Sequence, residues 1–376
     1  MNKKKLLIFH PALAPYRVDQ FNALSLLFEL EVVFLYDNLW SYKMDQSRLL
    51  SQLNFKVSWL LKGPRYKGRV FRFGMLKKIR TINPDIIIGY EYSFTTQYLI
   101  LLKRLGIIRQ EIGSVIDDSI DICHHVQSRV RSQARKYAVK QLDFLVVNSD
   151  KVSQFYQDTF GLGDHQVIIS PLLQDPEKLR SKPAELESVA EKYIQKYNLY
   201  EKRVWLFVGR FIPEKALPNF LITFNSILLE QKDTIFVVVG EGDEIQTLKA
   251  IIQEKHLEEK VILPGKYEGQ ELYAWYLCAS VFVLPSVSET FGAVVNEALI
   301  FGLKVLCSQY AGASCLINSD NGLIFNPLDE KDTKTKINLF MAAIEPVRTV
   351  DMTKKPSLMG SHEQQFSNEW RKLMYD

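Results

Sequence analysis

Two carboxylates eight residues apart, Glu289 and Glu297, follow the apolar run 281–285 in the segment Ser286-Val-Ser-Glu-Thr-Phe-Gly-Ala-Val-Val-Asn-Glu297. A strand ending at Pro285, a polar turn and an amphipathic helix would place the first acid before the helix and the second inside it. Gly292 lets the backbone turn tightly at the helix start. The first helical N–H groups then face the crevice at the strand's carboxyl end, where open α/β sheets bind ligands. Two acceptor-only carboxylates there can hold two sets of sugar hydroxyls at once. A surface helix with two solvated acids is the competing reading, and the flanking strand and turn argue against it.

A second pair of groups complements them. The buried-strand pattern Val204-Trp-Leu-Phe-Val ends in Gly209 and then Arg210; Pro213-Glu-Lys215 follows, with a helix beginning near Leu217. This spacing puts Arg210 and Lys215 at the carboxyl end of a strand, where two cations and a helix N-terminus would meet a pyrophosphate.

Elements of one kind must position both pairs. Short apolar runs alternate with helical periodicity along the whole chain. Strands are expected at 6–9, 31–36, 85–89, 112–116 and 144–148, and again at 204–209, 234–240, 260–263, 281–285 and 303–308. Helices fit 17–28, 95–105, 128–140, 218–231, 243–255, 269–278, 294–301 and 330–344. That alternation predicts parallel sheets covered by helices on both faces. At 376 residues the chain exceeds one comfortable core. The polar stretch 173–200 separates the halves. The architecture expected is α/β: two doubly wound, Rossmann-like domains facing across a cleft. They span 1–178 and 179–361, with a terminal helix at 362–376 packing back on the first.

Charge is unevenly distributed. Residues 1–150 hold 23 Lys and Arg against 13 Asp and Glu, and the remaining 226 hold 24 against 30. Eight of the basic residues lie between Lys62 and Arg80, with no acid and with Tyr66, Phe71 and Phe73 interleaved. Such a stretch can lie on an anionic membrane surface, each charge worth about 1 kcal/mol, or be a solvated basic face. No nucleic-acid module accompanies it. Cys123, Cys278, Cys307 and Cys315 lack metal-type spacing and read as buried thiols of a cytoplasmic protein. His124 and His125, adjacent, make a poor chelate. The opening Leu-Leu-Ile-Phe run stops at His10-Pro11, too short for a signal peptide. No apolar stretch reaches transmembrane length, so membrane contact would be peripheral.

Gly209-Arg210 with Lys215, Gly240-Glu-Gly-Asp243, Pro285-Ser-Val-Ser-Glu289 with Glu297, and Asn321-Gly-Leu-Ile-Phe325 occur in an order and at separations that resemble the GT-B-type glycosyltransferases of retaining family four. The resemblance is specific over about 150 residues of the second half and looser over the first. It implies that Arg210 and Lys215 clamp the diphosphate of a nucleotide sugar. It implies that Glu297 binds the ribose, that Glu289 holds the donor sugar, and that the turn Gly265-Lys-Tyr267 meets the base. Phe291 and Gly292 would lie near the phosphates or the sugar. No metal is implied, because the cations and a helix dipole neutralise the leaving group. A uridine diphosphate donor is favoured, with a guanosine one open.

Several departures from the family pattern bear on the site. Thr290 stands where glycine is common, and Ala216 replaces the usual glycine after the clamp lysine, so that loop is open to a different conformation. The first loop is the Pro-rich His10-Pro-Ala-Leu-Ala-Pro-Tyr-Arg17 rather than a glycine-rich one. Its Tyr16 and Arg17 suggest an acceptor contact or a cationic partner for the donor's phosphate. Asp117, Asp118 and Glu91, at strand ends of the first domain, are candidates to position the acceptor hydroxyl or take its proton. Asp118 could instead cap the next helix. The function implied is sugar transfer with retention to a glycan or lipid-linked acceptor in surface-polysaccharide assembly at the cytoplasmic membrane face. A catalytically idle nucleotide-sugar-binding scaffold and a GT-B-type epimerase are the alternatives. Neither half opens with a dinucleotide-binding glycine fingerprint.

Overall fold

A computed structural model describes residues 3–38, 44–66, 69–125 and 128–374, without the side chains of Arg65, Tyr66 and Arg69. The chain divides between Leu173 and Gln174 and again between Gly360 and Ser361. One unit holds 1–173 with 361–376, and the other holds Gln174–Gly360.

The first unit is built on seven parallel strands: β1 (Lys5–His10), β2 (Glu29–Phe34), β3 (Lys56–Trp59), β6 (Ile86–Tyr90), β7 (Glu111–Ile116), β8 (Phe144–Val147) and β9 (Val167–Ile169). A short antiparallel ribbon, β4 (Arg65–Tyr66) with β5 (Arg69–Val70), stands apart. The sheet order is β3-β2-β1-β6-β7-β8-β9, so its direction of winding reverses between β1 and β6. Alternation along β1 shows how the sequence builds two cores: Leu7 and Phe9 enter one apolar cluster, Leu6 and Ile8 the other. Strands buried on both faces must read as continuous apolar runs, as these do.

The second unit repeats the scheme with β10 (Arg203–Val208), β11 (Thr234–Val239), β12 (Val261–Gly265), β13 (Val281–Leu284), β14 (Lys304–Ser308) and β15 (Gly322–Phe325). The order β12-β11-β10-β13-β14-β15 is parallel throughout, and winding reverses between β10 and β13. Ligand crevices in such sheets open at the carboxyl ends of the strands flanking this reversal. Those two strand ends deliver Arg210 with Lys215, and Glu289.

Five strands were not expected from the sequence: β3, β9 and β15, and the two of the ribbon, β4 and β5. Each lies at an edge and is short, so it lacks the long apolar run that marks a central strand. The last helix, His362–Arg371, lies on the first unit. There Trp370 is buried against Phe28 and its Nε1 donates to Ser170 Oγ at 3.0 Å.

Among the described residues, no helix is long and apolar enough to cross a membrane. Lys67 and Gly68 of the basic stretch lie outside the described residues.

Candidate active site

In the second unit, close backbone packing fixes the loop carrying Arg210. Gly209 N donates to Val239 O at 3.0 Å, Phe211 N to Glu241 O at 2.8 Å and Glu244 N to Phe211 O at 3.0 Å. A Cβ on Gly240 would stand 1.9 Å from the Gly209 carbonyl oxygen, so only glycine lets the two loops meet. Arg210 is exposed on this fixed loop.

Lys215 ends the 3-10 turn Pro213–Lys215, and Ala216 follows at φ 50°, ψ 30°. The left-handed turn that glycine usually supplies is therefore kept by an alanine, which carries the strain of its Cβ.

Glu289 lies on the turn after β13. Val287 N donates to Glu214 O at 2.9 Å, tying this turn to the one bearing Lys215. Gly312 N and Ala313 N donate to the carbonyls of Glu289 and Phe291 at 3.2 and 2.7 Å. Gly292, at φ +99°, opens the helix Ala293–Ile300. Lys215 Nζ forms an ion pair with Glu289 Oε2 in this half-buried position. The proposed phosphate cation and the proposed sugar acceptor thus neutralise each other.

Glu297 sits one turn into that helix. Its Oε2 accepts a 2.6 Å bond from Tyr276 Oη, and its Oε1 a 3.3 Å bond from Gln174 Nε2. Burial pushes its carboxyl above the ordinary range, while the two donors pull the other way. Tyr267, after β12, lies edge-on to Tyr193 and Trp275 at 5.6 and 5.8 Å, in an aromatic wall with the Tyr193–Trp275 stack at 4.4 Å. The sequence reading missed Gln174 and Tyr276. A tyrosine in an otherwise apolar helix end, Ala274-Trp-Tyr-Leu277, was a signal for a buried polar tip, but nothing named its partner.

The first unit brings its expected residues to one sheet edge and gives them different partners. Arg17 is not a free cation for a phosphate. It lies in the first turn of the helix Pro15–Leu27, buried, and donates to both oxygens of Asp117 at 2.7 and 2.5 Å and to Gln20 Oε1 at 2.6 Å. Burial would raise the Asp117 carboxyl, but the Arg17 charge and bonds, with the 3.1 Å bond from Tyr90 Oη, hold it below its usual range. Tyr16 is exposed beside it. His10, at the end of β1, is driven down to about 3 by burial and by Arg17, so the neutral ring donates from Nδ1 to Ala12 O at 3.1 Å.

The structure separates the two aspartates. The Asp117 side chain is 21% exposed, that of Asp118 is 0%. Asp118 pairs with Arg131, accepts from Tyr156 Oη at 3.1 Å, and does not cap the following helix. That cap is Ser119, whose Oγ accepts from Ile122 N at 3.2 Å. A fully enclosed Asp118 cannot meet an acceptor hydroxyl, so this residue is structural.

Glu91 sits at φ +52°, a strained conformation for a non-glycine residue. Ser114 Oγ and Asp117 N hold it by bonds of 2.7 and 3.0 Å, and Arg131 by one of 3.1 Å. Burial and the neighbouring Asp118 push its carboxyl up to about 8, against the pull of Arg131. Arg131, from the helix Arg129–Val139, was not singled out in the sequence, where it is one basic residue among several.

The paired parallel sheets, each with a winding reversal, define the GT-B class of two-domain α/β proteins. The likeness to Anabaena HepE, solved in complex with UDP, is one of fold: TM-score 0.72, 16% identity, over 98% of this chain and 99% of that one. Residues 189–349 match the family described as Glycosyl transferases group 1, and the fold is that of the GT-B class. It is 30% identical to a sulfoquinovosyl transferase of Arabidopsis thaliana over 38% of this chain and 27% of that protein. It is 29% identical to an Escherichia coli UDP-Gal:alpha-D-GlcNAc-diphosphoundecaprenol alpha-1,3-galactosyltransferase over 42% and 43% of the respective lengths. The matches thus span less than half of these relatives.

Proposed function

We propose that this protein moves a sugar from a nucleoside diphosphate to an acceptor hydroxyl, with retention of anomeric configuration and without a metal ion. The observation that carries this reading is the Lys215–Glu289 ion pair at the winding reversal of the second unit, with Arg210 on the loop after one flanking strand and Glu297 in the helix after the other. Negative charge grows on the departing diphosphate as positive charge grows on the sugar ring. Arg210 and Lys215 act on the first of these, and preorganised cations lower the barrier because they gain more in the transition state than in the ground state. Glu289 takes the sugar hydroxyls and Glu297 the ribose. Tyr267 and its aromatic wall offer a face to the base, with uridine favoured because HepE was solved with UDP. In the first unit Asp117, braced by Arg17 and Tyr90, and Glu91, braced by Arg131, are the groups that position the acceptor.

A lipid-linked acceptor is favoured by two observations. The Escherichia coli relative is named for a diphosphoundecaprenol-linked one. In the first unit of this chain Trp59, Leu61 and Phe73 are exposed among the exposed cations Lys62, Lys77 and Arg80. The bond from Phe73 N to Lys62 O at 2.9 Å puts the two segments side by side. Arg72 is excluded from this surface, since it is buried and donates to the carbonyls of Leu35 and Leu61. The role in surface-glycan assembly at the cytoplasmic membrane face follows from such an acceptor.

The test is nucleotide release from UDP-, GDP- and ADP-sugars in the presence of EDTA, with and without a polyprenyl-diphosphate-linked sugar. Acceptor-dependent release of one nucleotide supports transfer. Binding without release in any combination points to the scaffold instead, and release that needs a divalent ion overturns the metal-free mechanism.

A further inference from the structure

The half-buried carboxylate of Glu297 does not stand alone. Its two donors differ in strength: Tyr276 Oη is at 2.6 Å, Gln174 Nε2 at the long limit of 3.3 Å. Tyr276 comes from the helix Gly269–Leu277 and is fully enclosed, its ring stacked on Phe301 at 5.7 Å and 7° and tilted against Phe282. A ring locked in this way fixes its hydroxyl, and the hydroxyl fixes Glu297 Oε2.

Gln174 carries the second observation. It is 8% exposed, and its side-chain carbonyl oxygen is buried with no hydrogen-bond partner. The amide cannot turn over to relieve this, because the carboxylate it faces accepts only, so the nitrogen must stay toward Glu297. A buried acceptor left without a donor is costly and rare in a native protein. A hydroxyl-bearing ligand beside Glu297 would satisfy it.

We propose that Gln174, Glu297 and Tyr276 form one ribose-reading unit. Gln174 Oε1 and Glu297 Oε1 each accept a hydroxyl of the ribose diol, and Tyr276 is the positioning residue that holds Glu297 for it. This inference rests on the nucleotide-sugar reading above and deepens it. The weak Gln174–Glu297 bond is the one that gives way, while the Tyr276 bond stays. The unit therefore selects ribonucleotides over their deoxy forms at a place where base and phosphate contacts are indifferent to the hydroxyls. A tyrosine that only fills the core would predict no such selectivity.

The experiment is calorimetric binding of UDP, GDP and ADP, each with its 2′-deoxy and 3′-deoxy form, to the full chain and to Gln174→Met and Tyr276→Phe. Melting curves check that each variant is folded; Gln174→Met keeps the volume and Tyr276→Phe keeps the ring stack. The wild type is expected to prefer its ribonucleotide by about tenfold or more, and each variant to lose about three- to tenfold of that preference, the size of one hydrogen bond. If a nucleotide binds and both variants keep the wild-type preference, this inference fails and the nucleotide-sugar reading stands. If the wild type binds none of the three nucleotides, both fail. Should one variant not fold, the ratio measured on the other decides.

Discussion

At the scale of single residues, the Lys215–Glu289 ion pair ties together two groups to which different donor contacts are proposed. In the roles proposed for them, Lys215 would exchange this contact for a diphosphate and Glu289 for sugar hydroxyls. The two removals should therefore not be equivalent. Lys215→Met takes away a phosphate cation and should weaken UDP binding about tenfold or more, in line with the ~1.5–3 kcal/mol of a charge-assisted bond. Glu289→Gln frees the lysine and should leave UDP affinity unchanged or about threefold tighter, while transfer falls about a hundredfold. Calorimetry with UDP beside steady-state turnover measures both; equal losses of affinity would refute the arrangement. Ala216 is a second residue-scale case, since it holds a left-handed turn at φ 50°. Relief of that strain is worth roughly 1–2 kcal/mol and the looser unfolded chain costs back roughly 0.4–1. Ala216→Gly should thus raise the melting temperature slightly and leave the UDP affinity alone, whereas Ala216→Val should lower the melting temperature.

At the scale of elements, the carboxyl edge of the first sheet holds Glu91, Asp117 and Asp118 against Arg17 and Arg131. Burial and the nearby Asp118 raise the Glu91 carboxyl from its ordinary 4.5 to about 8. The folded chain therefore keeps a proton that the unfolded chain gives up between those values. Linkage makes stability fall as pH rises through that window. Glu91→Gln should remove this slope, so that wild type and variant diverge in melting temperature from pH 5 to pH 8, the variant gaining at the upper end. Parallel curves would show that Glu91 is ionised throughout.

The same edge shows what a sequence can and cannot reveal. The central strands were legible because burial on both faces forces runs such as Ile86-Ile-Ile and Phe144-Leu-Val-Val. β3 was not, since its residues are half-exposed and polar ones alternate within it. The loops of the second unit were legible through Gly and Pro punctuation around Arg210 and Glu289. The pairing of Arg17 with Asp117, a hundred residues away, leaves no local trace, and that pairing is what turns Arg17 from a ligand cation into a brace. Likewise Asp117 and Asp118 are alike in sequence. They differ because the chain leaving β7 turns Asp118 inward to Arg131 and Tyr156 and leaves Asp117 partly exposed.

At the scale of the whole molecule, the chain passes from the first unit to the second at Leu173–Gln174 and returns at Gly360–Ser361. Its last helix thus completes the unit in which the chain began. Trp370 packs on Phe28 and Phe366 and bonds to Ser170, which also accepts from Gln20 Nε2 at 3.0 Å, so the helix braces the residue next to Arg17 as well. Emptying so large a buried site costs about 3–5 kcal/mol. The residues proposed to hold the nucleotide all belong to the second unit, and a ligand at a hundred times its dissociation constant adds about 2.7 kcal/mol to the unit that binds it. Two units with separate cores need not melt as one. Trp370→Ala should therefore lower an unfolding transition that saturating UDP does not move, while a second transition keeps its wild-type position and its full response to UDP. Calorimetric scans of wild type and variant, with and without UDP, read both at once. A single transition that shifts with the mutation and with the nucleotide together would mean that the two units unfold cooperatively, and that the returning helix stabilises the donor site as well as the unit it packs on.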